Sequence, residues 1–593
     1  MKLVIEFFRS NPVSKVTVYK IGLLLGLSFL SAARTYSAAT STAPPRVFFT
    51  DLDSGPNSGG ESVSGFSGAY VTLYGNFFGT NPTVTLNSAS CMRVVGSPVA
   101  YLWYQKLVIQ LGPSCTTGSF VVSNSQGASN GIPFTVRAGN IYFVSTSGND
   151  SAAGTISAPW KSLHKVRNTL ASGDIAYLRT GTWNSSIDSE GSSSSIIMFS
   201  GTGGSSGAPN AILNYPGETP VWSGSGKTYI SYNWTGGQVH DWVFGGIRWD
   251  GAHSTSRILD GNVGYARVKF VANVVVNSSN VCWNYEGSSN TVTLFGNDIS
   301  SCSPGLTDSD HGYSIYFGAY GTQDTINIGW NSLHDNTGKG KGIQMYGHAA
   351  GDIIRNVQIH HNLVYNMCAE GITLGGSDGG TAIFENSNTE YIYNNVIARN
   401  GYCEGSYGYS GLSMIGGTGN FKILNNNFYW NGNSPFISPS GDILSQGAST
   451  IEISNNIFYS AAGGNNCGYI CFESATSAGI TGSKNIFFHN GNGPTYLTNN
   501  INGQDPLFVA NPPQPASFGT YAAYNLAIGD LHLQSVSPAT DAGIALAFPQ
   551  APIDLDGTIR PQGSGMDIGA YEFNSGTTVA RPNPPTNLLV VVQ

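Results

Sequence analysis

The stretch Ile328-Gly-Trp-Asn331-Ser-Leu333 decides how the chain is read, because it recurs. Leu294-Phe-Gly-Asn297-Asp-Ile299 precedes it. Ile359-His-His-Asn362-Leu-Val364, Ile392-Tyr-Asn-Asn395-Val-Ile397, Ile423-Leu-Asn-Asn426-Asn-Phe428 and Ile453-Ser-Asn-Asn456-Ile-Phe458 follow, with a degenerate copy at Asn485 and Phe487. Successive asparagines are 34, 31, 33, 31, 30 and 29 residues apart. A period in this range marks a repeat architecture.

Within each unit, apolar and polar residues alternate over short runs, the periodicity of a strand. Gly, Asn, Asp or Ser bounds every run. No such run buries its apolar side alone, but coils stacked on one another bury it continuously. Asn tolerates the left-handed conformation of a sharp corner, and in register its amide bonds to the asparagines above and below. These requirements define an all-β chain built around a parallel β-helix, with about three short strands per coil and about 4.8 Å between coils.

The rest of the 593 residues fits an exported, multi-domain β protein. Charged residues make up only 10%, aromatics reach 11% and there are 77 glycines, which opposes disorder and suits dense turns. Lys2, Arg9, Lys15 and Lys20 precede an apolar run from Ile21 to Leu30 and then small residues, so 1–39 reads as an export signal, with an uncleaved anchor as the alternative. The chain is expected to be secreted or held at the cell surface. Its net charge of −8 makes it a poor generic binder of nucleic acid or anionic membranes. The eight cysteines of an exported chain suggest disulfides, and the local pairs are Cys91–Cys115, Cys282–Cys302, Cys368–Cys403 and Cys467–Cys471.

Residues 45–137 form a separate all-β unit with sandwich-like turn spacing. Tyr70-Val-Thr-Leu-Tyr-Gly-Asn-Phe-Phe-Gly79 and Asn124 to Val136 resemble an IPT/TIG immunoglobulin-like domain. That resemblance implies a spacer or binding module. The segment from Ile141, with Ala158-Pro-Trp-Lys-Ser-Leu163 and Gly173-Asp-Ile-Ala-Tyr-Leu178, resembles the opening of secreted right-handed parallel β-helix proteins of the pectate-lyase-like superfamily. It implies a short capping helix at Trp160 to Leu170, followed by a right-handed helix over 140–500. Asp150 and Asp174 are read as turn and cap residues. Residues 501–575 resemble the terminal segment of such proteins, and 576–593 read as a linker or tail. Asp554-Leu-Asp556-Gly557 reads as a turn, since no bidentate Glu follows at calcium-loop spacing.

A second series lies in phase with the asparagines: Gly312-Tyr-Ser-Ile-Tyr316, Gly342-Ile-Gln-Met-Tyr346, Gly371-Ile-Thr-Leu-Gly375 and Gly411-Leu-Ser-Met-Ile415. Aligned on their glycines, these strands turn Tyr313 and Ile315 inward and Ser314, Gln344, Thr373, Ser413, Tyr316 and Tyr346 outward. The residues before the glycines, His311, Lys341, Glu370 and Ser410, then form a column on one face. Tyr316, Tyr346, Gln344 and His348 are expected to bind substrate beside it.

Such a face suits β-elimination of an acidic polysaccharide, which requires a base for the proton α to a uronate carboxyl and a cation for the developing charge. Lys341 is read as the base, with His311 as the cation that lowers its proton affinity; the reverse assignment makes His311 the base and Lys341 the charge stabiliser. Glu370 is the third catalytic candidate or, with Asp310 or Asp378, a calcium ligand. The superfamily resemblance itself implies frequent use of calcium and a Lys or Arg base. Two other readings stand beside the lyase. A glycoside hydrolase would pair Asp308 or Asp310 with Glu370. A non-catalytic surface protein that binds glycans or neighbouring cells fits the repeat and the sandwich equally well, and under every reading the protein is expected to be a monomer.

Overall fold

The computed structural model describes residues 43–574 apart from 191–193, 304–311, 337, 339, 378–383, 402–409, 416–418, 433–439, 447–449, 461–467, 473–476, 513–527 and 550–551. The expected export signal lies outside these residues, and no helix among them is long and apolar enough to cross a membrane.

The expected right-handed parallel β-helix is present, with three parallel sheets of 12, 12 and 10 strands. The first runs from Ile141–Val144 to Ile480–Thr481, the second from Gly181–Trp183 to Ile501–Asn502 and the third from Ser195–Ile197 to Ile470–Phe472. The repeated motif straddles the corner between the first two. Its leading apolar residues stack as Leu294, Ile328, Ile359, Ile392, Ile423 and Ile453 in the first sheet. Its trailing ones stack as Ile299, Leu333, Val364, Ile397, Phe428, Phe458 and Phe487 in the second. All are withdrawn from solvent in one core running from Val144 to Leu497.

The asparagines form a ladder at that corner. Asn297 Nδ2 donates to Asn331 Oδ1 at 3.0 Å, Asn331 to Asn362 at 2.9 Å, and Asn362 to Asn395 and Asn395 to Asn426 at 3.0 Å each. The ladder begins one rung earlier than the motif reading, at Asn273, and closes on Asn500. Each backbone N–H joins the same acceptor, and Nδ2 also reaches a carbonyl of the preceding coil, as from Asn331 to Leu294 at 2.8 Å. Burial is tolerated because the amides are satisfied. The left-handed residue is not the ladder asparagine but the one before it: Gly296, Trp330, His361, Asn394, Asn425 and Asn455 have φ between 51° and 67°. That corner residue turns the chain so that the next side chain points into the stack.

A second ladder, five residues further on, lies before the third sheet. Asn400 Nδ2 donates to Asn431 Oδ1 at 3.0 Å, and Asn431 Nδ2 donates to Asp442 Oδ1 at 3.1 Å. Asp442 is fully buried, its other oxygen accepts from the Ser460 hydroxyl, and burial pushes its carboxyl up to about 7.

The capping helix spans Leu163–Thr169, with Ser162 Oγ accepting from Lys165 N and with Leu163 and Val166 plugging the core. Asp150 binds the N–H groups of Lys161 and Ser162, and Asp174 those of Asn140 and Ala171, so both are structural. Asp554 likewise accepts from the N–H groups of Asp556, Thr558 and Glu572, the bonding of a turn.

The sandwich has sheets of four and five strands. It packs on the outer face of the first sheet, where Tyr177 exchanges 2.9 Å hydrogen bonds with the Tyr70 backbone and Phe48 stacks on Trp330. The C-terminal segment covers the outer face of the second sheet, with Leu531, Leu555 and Ile568 packed against Tyr365, Val396 and Tyr429. Two disulfides match the expected local pairs, Cys91–Cys115 in the sandwich and Cys282–Cys302 inside the helix core. Cys368 and Cys471 are also disulfide-bonded, while Cys403 and Cys467 lie outside the described residues.

Candidate functional site

The sandwich and the C-terminal segment occupy two outer faces of the helix, and the third sheet carries the polar and aromatic residues that remain. Its strands set one outward row of Tyr229, Arg257, Val281, Tyr313 and Lys341. A parallel row holds Tyr232, Asp260, Asn284, Tyr316, Gln344, Thr373 and Ser413. Glu286, Gly318 and Tyr346 lie further along the strands.

This register departs from the expected column by two residues. Lys341 stands opposite Tyr313, and Ile343 and Met345 stack on Ile315 and Phe317. The glycine alignment failed because the apolar alternation of the Tyr313–Ala319 strand continues through Phe317. Tyr313 is accordingly half-exposed rather than inward, and Ser314 is buried beneath the Asn336 amide rather than outward. His311, Asp308, Asp310, Asp378 and Glu404 lie outside the described residues.

Lys341 and Glu370 do meet. Their Nζ and Oε1 atoms are 3.5 Å apart, and both side chains are nearly buried. Glu370 Oε2, Gln344 Oε1 and Thr373 Oγ1 are buried without a hydrogen-bond partner. Orphaned polar groups of this kind are costly in a folded protein and call for an explanation. Here three of them lie on two adjacent coils, at positions withdrawn from solvent. Of the expected calcium ligands, Glu370 alone is described, and one of its oxygens already faces a cation. No group of three His, Cys, Asp or Glu able to hold a metal occurs among the described residues.

Toward the other end of the same strands, Tyr316 Oη lies 3.1 Å from His348 Nε2, which is 3.9 Å from Glu286 Oε1. Asp352 fixes the turn by accepting from the N–H groups of His348 and Ala349 at 2.9 and 2.7 Å, and Tyr320 stacks on the imidazole at 4.2 Å. Burial, reinforced by the charge of Asp260, raises the Glu286 carboxyl, against Arg257 and Asn284. Burial also raises the Tyr316 hydroxyl well above its ordinary value, with the neighbouring Tyr313 and Glu286 adding to it. Tyr313 joins the two clusters: its ring is 4.8 Å from that of Tyr316, and burial, then the charge of Glu370, raise its hydroxyl.

Of the residues expected at the site, Lys341 and Glu370 form one cluster, with Gln344 between it and the Tyr316–His348 pair; Tyr346 is half-buried 5.6 Å from the His348 ring. Sequence reading missed Tyr313, Glu286 and the Arg257–Asp260 pair. The signal that would have found the last was the motif Phe270-Val-Ala-Asn273-Val-Val275, which extends the ladder back toward it.

No family model matches the chain, and no curated protein does. Among solved structures, it is similar to pectate lyase Pel9A, with 16% identity over 73% of this chain and 96% of the other at a TM-score of 0.43. It is also similar to a rhamnogalacturonan lyase, with 16% identity over 58% and 87% at 0.29. A third is the A-module of the Azotobacter vinelandii mannuronan C-5 epimerase AlgE4, with 12% identity over 56% and 87% at 0.33.

Proposed function

We propose that the protein acts on an acidic polysaccharide at the third-sheet face and cleaves it by β-elimination. The observation that carries this reading is the Tyr316–His348 hydrogen bond of 3.1 Å, set among half-exposed aromatic rings on a helix face that, among the described residues, neither the sandwich nor the C-terminal segment covers. Aromatic faces suit sugar rings.

In the reaction, the proton on C5 of a uronate is removed and its electron pair becomes the C4=C5 double bond. The C4–O bond breaks, and the leaving oxygen takes a proton. His348 is the nitrogen base. Tyr316, hydrogen-bonded to that imidazole, is the acid that serves the leaving oxygen. Tyr313 donates a hydrogen bond to the carboxyl group on which charge develops. The Glu370 carboxylate beside Lys341 suits this lysine to the second of its two expected roles, a cation that attracts and holds a uronate carboxylate. The disulfides fit an oxidising compartment and thus export.

The test is absorbance at about 235 nm from the unsaturated product of elimination. His348→Ala and Tyr316→Phe are expected to lower kcat by roughly 10²–10⁴, and Lys341→Ala to raise KM. New reducing ends without that absorbance would mean hydrolysis. Binding without either signal would mean a glycan-binding protein.

A further inference from the structure

The four tryptophans between 222 and 249 do not share one fate. Trp222, Trp242 and Trp249 are fully buried in the helix core. Trp234, just beyond the Tyr229–Asn233 strand, is half-exposed. Its ring lies 6.0 Å from Tyr232 at an interplanar angle of 10°, and Tyr232 lies 4.6 Å from Tyr229. All three rings are half-exposed at the N-terminal end of the third-sheet face.

The platform is held from beneath. Trp234 Nε1 donates to Asp260 Oδ2 at 2.9 Å, and Asp260 Oδ1 accepts from Arg257 at 2.8 Å and from Asn284 at 2.5 Å. Asp260 itself is buried. Anchoring of this kind fixes the indole without covering it, and a pre-set aromatic surface binds at little entropic cost. Tyr229 and Tyr232 head the two outward rows that lead, coil by coil, to Lys341 and Gln344.

We infer that Tyr229, Tyr232 and Trp234 form a distal subsite on which a pyranose ring of the polysaccharide stacks, several sugar units away from the reacting bond. The inference rests on the reading of this face as a polyuronate site. Tyr229 is four coils from Lys341 in register, which at about 4.8 Å per coil is about 19 Å. A disaccharide held near Lys341 and Tyr316 does not reach the platform; a longer chain laid along the helix axis does. Arg257, one coil on from Tyr229 in the same row and paired with Asp260, places a guanidinium beside the platform.

The experiment measures affinity of the whole protein for polygalacturonate and alginate, as polymers and as size-graded oligomers, for wild type, Trp234→Ala, Tyr232→Ala and Trp234→Phe. Thermal midpoints identify any variant that fails to fold, and Trp234→Phe keeps a ring at the site in that event. The alanine variants are expected to bind the polymer roughly tenfold more weakly, equivalent to about 1.4 kcal/mol, with di- and trisaccharide affinity and kcat unchanged and with the phenylalanine variant, which keeps a ring but loses the bond to Asp260, between alanine and wild type. Equal loss for short and long ligands, or no loss at all, overturns the distal subsite alone. Failure of the wild type to bind either polymer overturns both the subsite and the polyuronate reading on which it rests.

Discussion

Replacing Asp442 with Asn should stabilise the protein, by an amount that grows with pH. Asp442 ends the second asparagine ladder, accepting from Asn431 with one oxygen and from Ser460 with the other. The folded protein holds the carboxyl proton to about pH 7, against an ordinary value of 3.8. Between these values the folded state binds more protons than the unfolded chain, so stability falls as pH rises from about 4 to about 7 and is flat above. A shift of about three units corresponds to roughly 4 kcal/mol for a fully buried group. Asn accepts from Asn431 through Oδ1, donates to Ser460 Oγ through Nδ2 and carries no charge. Urea unfolding, followed by near-ultraviolet circular dichroism, should give equal stabilities for Asp442→Asn and wild type near pH 4. The variant's advantage should grow by roughly 2–3 kcal/mol between pH 5 and pH 8. A difference that stays constant with pH, or a variant less stable at pH 8, would refute the account of Asp442 as a buried acid that deprotonates at a cost.

Glu390→Gln should behave similarly, because burial raises that carboxyl to about 7 and one of its oxygens has no partner; unfolding at pH 4 and pH 8 checks the sign. Asn395→Ala leaves the N–H and Nδ2 of Asn362 without their acceptor and the Ile359 carbonyl without a donor, so a loss of roughly 3–5 kcal/mol is expected in denaturant titration. Cys282→Ser with Cys302→Ser opens a loop closed over a separation of 20 residues and should cost about 3 kcal/mol in denaturant titration, while reducing conditions, which open Cys91–Cys115 as well, should lower the wild type further.

The fold was legible because ladder and core obey one period. Ile328, Asn331 and Leu333 repeat at a spacing set by the coil itself, so the periodicity in sequence is the stacking in space. The candidate site was only partly legible. Between Ser289 and Ser377, changes in loop length shift the phase of the third-sheet strands relative to the asparagines. A two-residue slip therefore paired Lys341 with Tyr313 instead of His311. Lys341 and Glu370 came together because the shift between their strands matches the glycine spacing. The Trp234 platform and Asp260 lie where the coils are less regular, and only the Asn273 rung would have extended the count to them. Nor does local sequence indicate which faces are covered, since that follows from how distant segments such as Phe48 and Leu555 pack.

The asparagine ladder also has a mechanical consequence. Each rung ties one coil to the next through side-chain amides as well as strand hydrogen bonds, so once the sandwich and the C-terminal segment are pulled away, tension along the chain loads one rung at a time. A coil released from either end frees about 30 residues, or about 100 Å of contour. Stretching should therefore give a series of nearly equal steps, each ending when the next asparagine takes the load. A protein anchored at one end and gripping a polymer with its third face would yield by single coils, keeping hold of the polymer while it dissipates the pull.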